Sequence, residues 1–199
     1  VFQLSEVLDW TLDEVGEWLW YGNDRDKPEP STTSFDRLDE KSQVAHRAGE
    51  YQKMVNYALT SLDVATTPEE KARAYNRVAG GWDGLGRFNR VLHAAQAGLR
   101  EYPIPTDLRL LLQTTAANAH YTLWQLDESQ GMMQRVAEYY ETNSPDTDRG
   151  KVAQAHSWYV LGHSLRRLLD IEPDQSSQHA HASRSALEHS MKLYEGLAQ

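Results

Sequence analysis

The chain has 199 residues, a formal net charge of −9 at pH 7 and no cysteine, which excludes disulfides and thiol chemistry. This acidic balance argues against nucleic-acid binding by the segment itself, because phosphate neutralisation needs clustered Lys and Arg. No apolar run approaches the roughly 20 residues of a membrane span, and no basic and apolar leader follows Val1. We therefore expect a cytoplasmic protein that makes no membrane contact.

The composition also favours helix over sheet. Isoleucine occurs only at Ile104 and Ile171, while Ala, Leu, Gln, Glu and Arg are abundant. The length suffices for one substantial core or a single repeat array. We predict an all-α fold.

Residues 1–21 contain two short stripes of apolar residues at helical spacing, and the spacing is interrupted at Asp9 and Trp10. The second stripe starts with a capping box, in which Thr11 and Glu14 each satisfy a free backbone N–H. A short helix, a break and a capped second helix resemble the closing helices of lambda-repressor-type (XRE) helix-turn-helix domains. The residues that carry this resemblance are Leu4, Leu8, Trp10, Thr11, Leu12, Asp13, Glu14 and Val15.

This resemblance covers fewer than twenty residues and does not include the helices that would touch DNA. It implies that the chain starts near the end of a DNA-binding domain. The alternative is a pair of N-terminal helices that caps a helical array. Residues 22–34 follow as a polar linker without periodicity, which separates these helices from a repeat domain at residues 35–199.

An internal repeat begins after the linker. Gly49 and Tyr51 stand between two apolar stripes, and Gly86 and Phe88 repeat this arrangement 37 residues later. Glycine gives the chain the freedom to reverse at each position. The pattern predicts two successive helical hairpins, each with its turn at the glycine.

The second unit is the clearest of the repeats. Thr67, Pro68 and Glu70 form the N-terminal signature of its first helix, and Pro103 ends its second helix. Apolar residues recur at helical spacing on both helices, and small residues among them let the helices approach closely. These stripe and packing residues are Tyr75, Val78, Ala79, Trp82, Phe88, Val91, Leu92, Ala95, Gly98 and Leu99.

Two further units follow with weaker patterns. The third runs over residues 108–145, and we place its turn at Gln125 to Ser129, where no glycine precedes an aromatic residue. The fourth opens with Trp158, Leu161 and Gly162, and we interpret residues 171–183 as an insertion that replaces its turn. Departures in the last unit are expected, because terminal repeats present a polar outer face.

The second unit resembles a tetratricopeptide (TPR) repeat. That pattern has aromatic, large apolar and small residues on the first helix, Gly–x–aromatic at the turn, small residues on the second helix and a closing proline. The matching residues are Tyr75, Val78, Ala79, Trp82, Gly86, Phe88, Ala95, Gly98 and Pro103. The resemblance spans residues 36–199 and implies a TPR-like α-solenoid of about four helical hairpins, with extra N-terminal helices.

The sequence offers no support for catalysis. No phosphate-binding glycine motif, nucleophile elbow or His-Glu-x-x-His occurs. His179, His181 and His189 could in principle bind a metal, but histidines in a Ser, Gln and Ala context are usually a solvated surface. We predict no enzyme, no metal site and no cofactor.

The TPR resemblance implies a concave groove lined by polar positions of each first helix. Carried over by register, the expected ligand contacts are Gln43, His46, Arg73, Asn76, Asn118, Thr122, Tyr159, His163 and Arg166, with Asp39, Asp83 and Gln125 on the same surface. Asn76 and Asn118 each come one residue after a member of an apolar stripe, Tyr75 or Ala117. An asparagine there can both donate to and accept from a peptide backbone. Arg73 and Arg166 could bind a peptide carboxylate bidentately.

We therefore expect a peptide- or protein-binding domain. The leading hypothesis is the sensing and dimerising part of a bacterial helix-turn-helix transcription regulator, in which DNA is bound only by a domain outside this chain. Such a regulator is expected to be a homodimer, because operators are commonly two-fold symmetric. The alternative is a stand-alone TPR adaptor that mediates protein–protein interaction.

Overall fold

The computed structural model describes residues 33–197, and over this range the all-α prediction is confirmed. The helices are α1 (Phe35–Arg47), α2 (Tyr51–Val64), α3 (Pro68–Gly84), α4 (Phe88–Arg100), α5 (Thr106–Thr122), α6 (Leu126–Thr142), α7 (Asp148–Ile171) and α8 (Ser176–Leu197). A single turn of 3₁₀ helix, Pro173–Gln175, lies between α7 and α8. The helices predicted in residues 1–21, and the predicted linker up to residue 32, lie outside the described residues. Within the described residues, no helix is both long and apolar enough to cross a membrane.

Each helix packs against the next one along the chain, and the odd-numbered helices also contact one another. α1 touches α3, α3 touches α5, and α5 touches α7, whereas the described even-numbered helices make no such contacts among themselves. The odd-numbered helices therefore form one continuous row. α7 and α8 form the most extensive helix pair of the described residues.

The second hairpin packs as its sequence predicts. Trp82 and Phe88 are half-buried against a core that contains Val78 and Val91. A side chain at Gly98 would come within 3.1 Å of the Tyr75 Cβ atom, so the absence of one lets α4 approach α3 closely. The predicted capping box at the start of α3 is confirmed, since Thr67 Oγ1 accepts from the Glu70 N–H at 3.1 Å and Glu70 Oε2 accepts from the Thr67 N–H at 3.0 Å.

Three hairpins share the same turn. Gly49, Gly86 and Trp124 have left-handed backbones with φ of 72°, 72° and 63°. In each turn the N–H of the next residue donates to the carbonyl oxygen five residues before it, at 2.9 Å in all three cases. This is the hydrogen bond of a Schellman motif, which ends a helix through one left-handed residue. The turns thus recur after 37 and 38 residues.

The third turn, at residues 123–125, begins two residues and ends four residues earlier than the sequence pattern indicated. The prediction of a turn at Gln125 to Ser129 is wrong, because α6 already begins at Leu126 and Ser129 is buried within it. Trp124 occupies the left-handed position that glycine fills in the other two turns, so the search for glycine missed it. The guanidinium of Arg167 lies 4.2 Å from the Trp124 ring centroid and makes a cation–π contact with it.

The predicted insertion at residues 171–183 is also wrong. Only Glu172 and the 3₁₀ turn separate α7 from α8, and α8 includes residues 176–183. Glu172 and His179 join the two ends through a contact of 2.8 Å between Oε2 and Nε2. At Gly162 the backbone comes so close to Leu187 that a Cβ atom would lie 2.7 Å from its Cγ. The fourth unit is therefore a long hairpin without an inserted loop.

Candidate functional site

Polar side chains connect neighbouring odd-numbered helices, and together they form a surface that we call the odd-helix face. At one end, Asp39 of α1 is 3% exposed and accepts two hydrogen bonds from α3. Arg73 Nη2 donates to its Oδ2 at 2.7 Å, and Arg77 Nε donates to its Oδ1 at 2.8 Å. Gln43 Nε2 donates to Oδ2 at 3.0 Å. Both carboxylate oxygens are thus occupied from within the chain.

The two arginines set the protonation state of Asp39. Burial alone would raise its pKa, but the hydrogen bonds and charges of Arg77 and Arg73 outweigh burial and hold the pKa below its usual value. Asp39 is therefore ionised at neutral pH. Arg73 also lies over the Phe35 ring at 5.1 Å, so the guanidinium that we expected to bind a peptide carboxylate is engaged inside the chain.

In the middle of the odd-helix face, Asp83 has a different environment. Asn118 of α5 donates from Nδ2 to Asp83 Oδ1 at 3.1 Å. Burial raises the pKa of Asp83, and the Asn118 hydrogen bond and the charge of His46 on α1 offset only part of this rise. Three helices thus meet at this group, through His46 of α1, Asp83 of α3 and Asn118 of α5. Thr122 Oγ1 donates to the Asn118 carbonyl oxygen at 3.0 Å and belongs to the same group.

At the other end of the face, aromatic rings replace carboxylates. The rings of Tyr159 and His163 on α7 lie 4.4 Å apart, and Tyr121 of α5 lies 6.1 Å from His163. His163 Nδ1 is buried without a hydrogen-bond partner among the described residues. Burial, and then the charges of Arg166 and Arg167, lower the pKa of His163, so this ring is neutral at pH 7. Arg166 is exposed beside this group.

The hairpin turns show that Asn76 and Asn118 are not equivalent positions. Asn76 stands ten residues before the left-handed Gly86, whereas Asn118 stands six residues before the left-handed Trp124. The equivalents of Asn118 are therefore Gln43 and Gly80, and those of Asn76 are Asp39 and Thr114. The prediction that the two asparagines form a pair in register is wrong, because the third turn was misplaced.

The expected ligand residues thus fall into three groups rather than one evenly lined groove. Asn76 is half-buried on α3 and lies one helical turn after Arg73. Gln125 Oε1 accepts a hydrogen bond from His120 Nδ1 at 2.7 Å at the third turn. Arg77 and Arg167 were not predicted. Arg77 could have been found, since it lies four residues after Arg73 and so shares its helix face.

The histidines at the C-terminal end do not form a metal site. His179 is buried against Glu172, and His181 is exposed. Among residues 33–197, no group of three or more potential ligands is arranged to hold a metal ion.

Comparison with protein-family models, with curated proteins and with solved structures found no match for this chain.

Proposed function

We propose that residues 35–199 form a TPR-like α-solenoid that binds a peptide or protein segment on the odd-helix face. Two observations support the repeat architecture. One turn geometry recurs in three hairpins, and among the helices that the structure describes only the odd-numbered ones make contacts beyond their chain neighbours. Stacked hairpins of this kind present one helix of each pair on a shared binding surface.

The observation that carries the binding proposal is the state of Asp83. Its carboxylate is partly buried, and a neutral amide and a nearby histidine compensate for that burial only in part. A ligand N–H group, from a peptide backbone or a basic side chain, would add a further hydrogen bond to this carboxylate. The Asn118 side chain keeps its carbonyl oxygen as a second acceptor. Asp83 and Asn118 therefore form the centre of the proposed site.

We further propose that this array is the sensing and dimerising part of a bacterial helix-turn-helix transcription regulator. The resemblance at residues 4–15 to the end of an XRE domain is the reason for that assignment. Met191 and Tyr194 are exposed apolar side chains on α8 and would contribute to a homodimer contact through the last hairpin. The alternative role is a TPR adaptor without a DNA-binding domain.

The binding proposal is tested with a phage library of random peptides selected on the purified chain. Peptides that bind the parent chain should bind Asn118→Ala at least tenfold more weakly, because the central hydrogen bonds are lost. Asn89→Ala, which removes the same group from α4, should leave the affinity unchanged. Failure to enrich any peptide, or equal loss in both variants, contradicts the assignment of the site.

The regulator proposal needs a separate experiment. The chain is expressed with the natural sequence that precedes Val1, and both forms are titrated with random duplex DNA at several salt concentrations. Steep salt dependence by the longer form alone supports a DNA-binding head. A longer form without DNA affinity contradicts the regulator and favours the adaptor.

A further inference from the structure

One ring nitrogen of His163 is enclosed where α7 packs on α5. Nδ1 is buried and has no hydrogen-bond partner among the described residues. The Tyr121 ring of α5 lies 6.1 Å from the imidazole, and the Tyr159 ring of α7 lies 4.4 Å from it. The other nitrogen, Nε2, is not one of the buried atoms that lack a partner, and no described residue bonds to it, so it contacts solvent.

This arrangement determines which nitrogen carries the proton of the neutral His163 ring. A neutral imidazole has one N–H donor and one acceptor nitrogen. Water can accept a hydrogen bond from Nε2, whereas the enclosed Nδ1 faces no acceptor among the described residues. We therefore expect the neutral ring to carry its proton on Nε2. A second proton would have to enter at Nδ1, where the new N–H would be buried without a partner, and this is unfavourable.

Two positive charges oppose a second proton on His163. Arg166 and Arg167 follow His163 by three and four residues, the spacing at which side chains are neighbours on a helix surface. Arg167 is held in place, since its Nη1 donates to the Tyr121 carbonyl oxygen and its guanidinium lies 3.8 Å from the Tyr121 ring centroid. A protonated imidazole would therefore stand beside a guanidinium that is fixed to α5.

No negative charge compensates for these arginines. Among residues 33–197, no carboxylate forms an ion pair or a hydrogen bond with His163. The helices α6 and α8 also pack on α7, and beside His163 they contribute uncharged groups. Ser129 of α6 contacts Ser164 at 3.0 Å between hydroxyl oxygens, and the Ser183 hydroxyl of α8 donates to the Gly162 carbonyl oxygen at 2.8 Å.

The other titratable rings near this part of α7 keep their state in mild acid. His156 lies 5.8 Å from the Tyr159 ring, and burial lowers its pKa to about 4. Burial, and then the charge of Tyr159, raise the pKa of Tyr194 on α8. The pKa of His163 is lowered less than that of His156, so His163 is the first of these groups to change its charge as the pH falls from neutral.

We propose that His163 makes the packing of α7 on α5 sensitive to mild acid. A proton added at Nδ1 moves the imidazole away from Tyr121 and Tyr159 towards water, and the contact between the two helices loosens. Asn118 lies one helical turn before Tyr121, so this change would reach the proposed peptide site, but the acid response itself does not depend on that site.

The dependence of stability on pH has the same sign. The folded pKa of His163 is below the usual 6.5, so the unfolded chain binds the proton more readily than the folded chain. The free energy of unfolding therefore falls as the pH drops below about 6.5, and this loss is complete below the folded pKa.

NMR of the isotope-labelled full-length chain between about pH 7.5 and pH 4.5 tests the proposal. We expect the ring-nitrogen shifts of His163 at neutral pH to show the proton on Nε2. Its protonation midpoint should be lower than in the urea-unfolded chain, and the Tyr121 amide and Arg167 Nε signals should change with the same midpoint. A midpoint at or above the unfolded value, a neutral proton on Nδ1, or Tyr121 and Arg167 signals that do not respond overturns the proposal.

His163→Phe keeps a ring at this position that cannot take up a proton. The acid response of the Tyr121 and Arg167 signals should disappear, and the fall in Tm between about pH 7.5 and pH 5 should be about 3 °C smaller than in the parent chain. His181→Phe, which removes an exposed imidazole from α8, is the matched control and should keep the parent response at Tyr121 and Arg167. A parent-like response in His163→Phe, or the same loss in both variants, overturns the proposal.

Two further variants complete the test. His163→Gln removes the titration without a bulky ring and should lose the same acid response, so the proposal stays testable if phenylalanine disturbs the fold. Arg166→Gln should raise the protonation midpoint of His163 by about 0.3 pH unit at low salt and by less at high salt. Arg184→Gln, on the exposed side of α8, should leave the midpoint unchanged. Equal midpoints in the two arginine variants overturn the assignment of Arg166 as an opposing charge.

Discussion

Asp39 and Asp83 are both acidic residues on the odd-helix face, but their surroundings give them opposite properties. Asp39 receives two arginines and a glutamine, whereas Asp83 receives one asparagine and the charge of a histidine. The pKa of Asp39 is lowered and that of Asp83 is raised. The comparison shows that the first carboxylate ties α1 to α3 through two arginines, while the second is less fully compensated and is the carboxylate at which we propose that a ligand binds.

The largest expected effect is on the Asp39 side of this comparison. Asp39→Asn leaves Arg73 and Arg77 without their counter-charge, and we expect the free energy of unfolding to fall by about 3 kcal/mol. This value is at the low end for broken buried pairs, because both arginines keep part of their surface in water. Urea denaturation with matched m-values measures it.

Asp36→Asn is the control for that variant. Asp36 is 87% exposed and lies 3.8 Å from Arg73 Nη1, so its removal should change stability by no more than about 0.5 kcal/mol. Equal losses in the two variants would show that overall charge, rather than the buried cluster, holds α1 to α3.

A smaller effect of opposite sign is expected for Asp83→Asn. The asparagine amide keeps an oxygen that accepts from Asn118, and the substitution removes a charge that burial disfavours. We therefore expect the free energy of unfolding to rise by about 1 kcal/mol at pH 7. The same variant should bind selected peptides more weakly, because the acceptor charge is gone. A loss of stability would show that Asp83 is as well compensated as Asp39.

The smallest effect is the dependence of stability on pH in the parent chain. The folded pKa of Asp39 is below its usual value of 3.8, so its contribution is present above that pH and lost as the pH falls through the folded pKa. The folded pKa of Asp83 is above 3.8, so its contribution is largest in acid and lost as the pH rises through the folded pKa.

Stability curves measured from pH 3 upward separate the two carboxylates. The difference between the parent chain and Asp39→Asn should shrink as the pH falls below about 3.8, whereas the difference between the parent chain and Asp83→Asn should shrink from a higher pH. Parallel curves for all three proteins would contradict the opposite shifts.

Local signals in the sequence predicted much of the helical structure. The Thr67–Glu70 capping box and the Gly86 turn depend on residues only a few positions apart, so their geometry is visible in the chain order. Trp124 shows the limit of this approach. It has a left-handed backbone without being glycine, and its ring lies against Arg167, which is 43 residues later, so no local rule identifies this turn.

The sequence predicted the residues of the candidate sites less well than it predicted the helices. Arg73 and Arg77 were both visible, but only the packing of α3 on α1 directs them to Asp39, 34 and 38 residues earlier. A cavity between the start of α5, the end of α6 and the start of α7 has no motif at all, since three separate stretches of the chain line it. The Tyr140 hydroxyl, which is buried without a hydrogen-bond partner among the described residues, is likewise a result of packing that the sequence pattern does not report.

The one-sided contacts between helices have a mechanical consequence. The odd-numbered helices are linked to one another by packing, whereas the described even-numbered helices are linked only through their chain neighbours. Bending that separates the even-numbered helices therefore breaks no direct contact between them, while bending that separates the odd-numbered helices must rupture contacts such as Asp39–Arg73. We therefore expect the described helices to resist bending more strongly along the odd-numbered side than along the even-numbered side, and a ligand bound to the odd-helix face to change that resistance most directly.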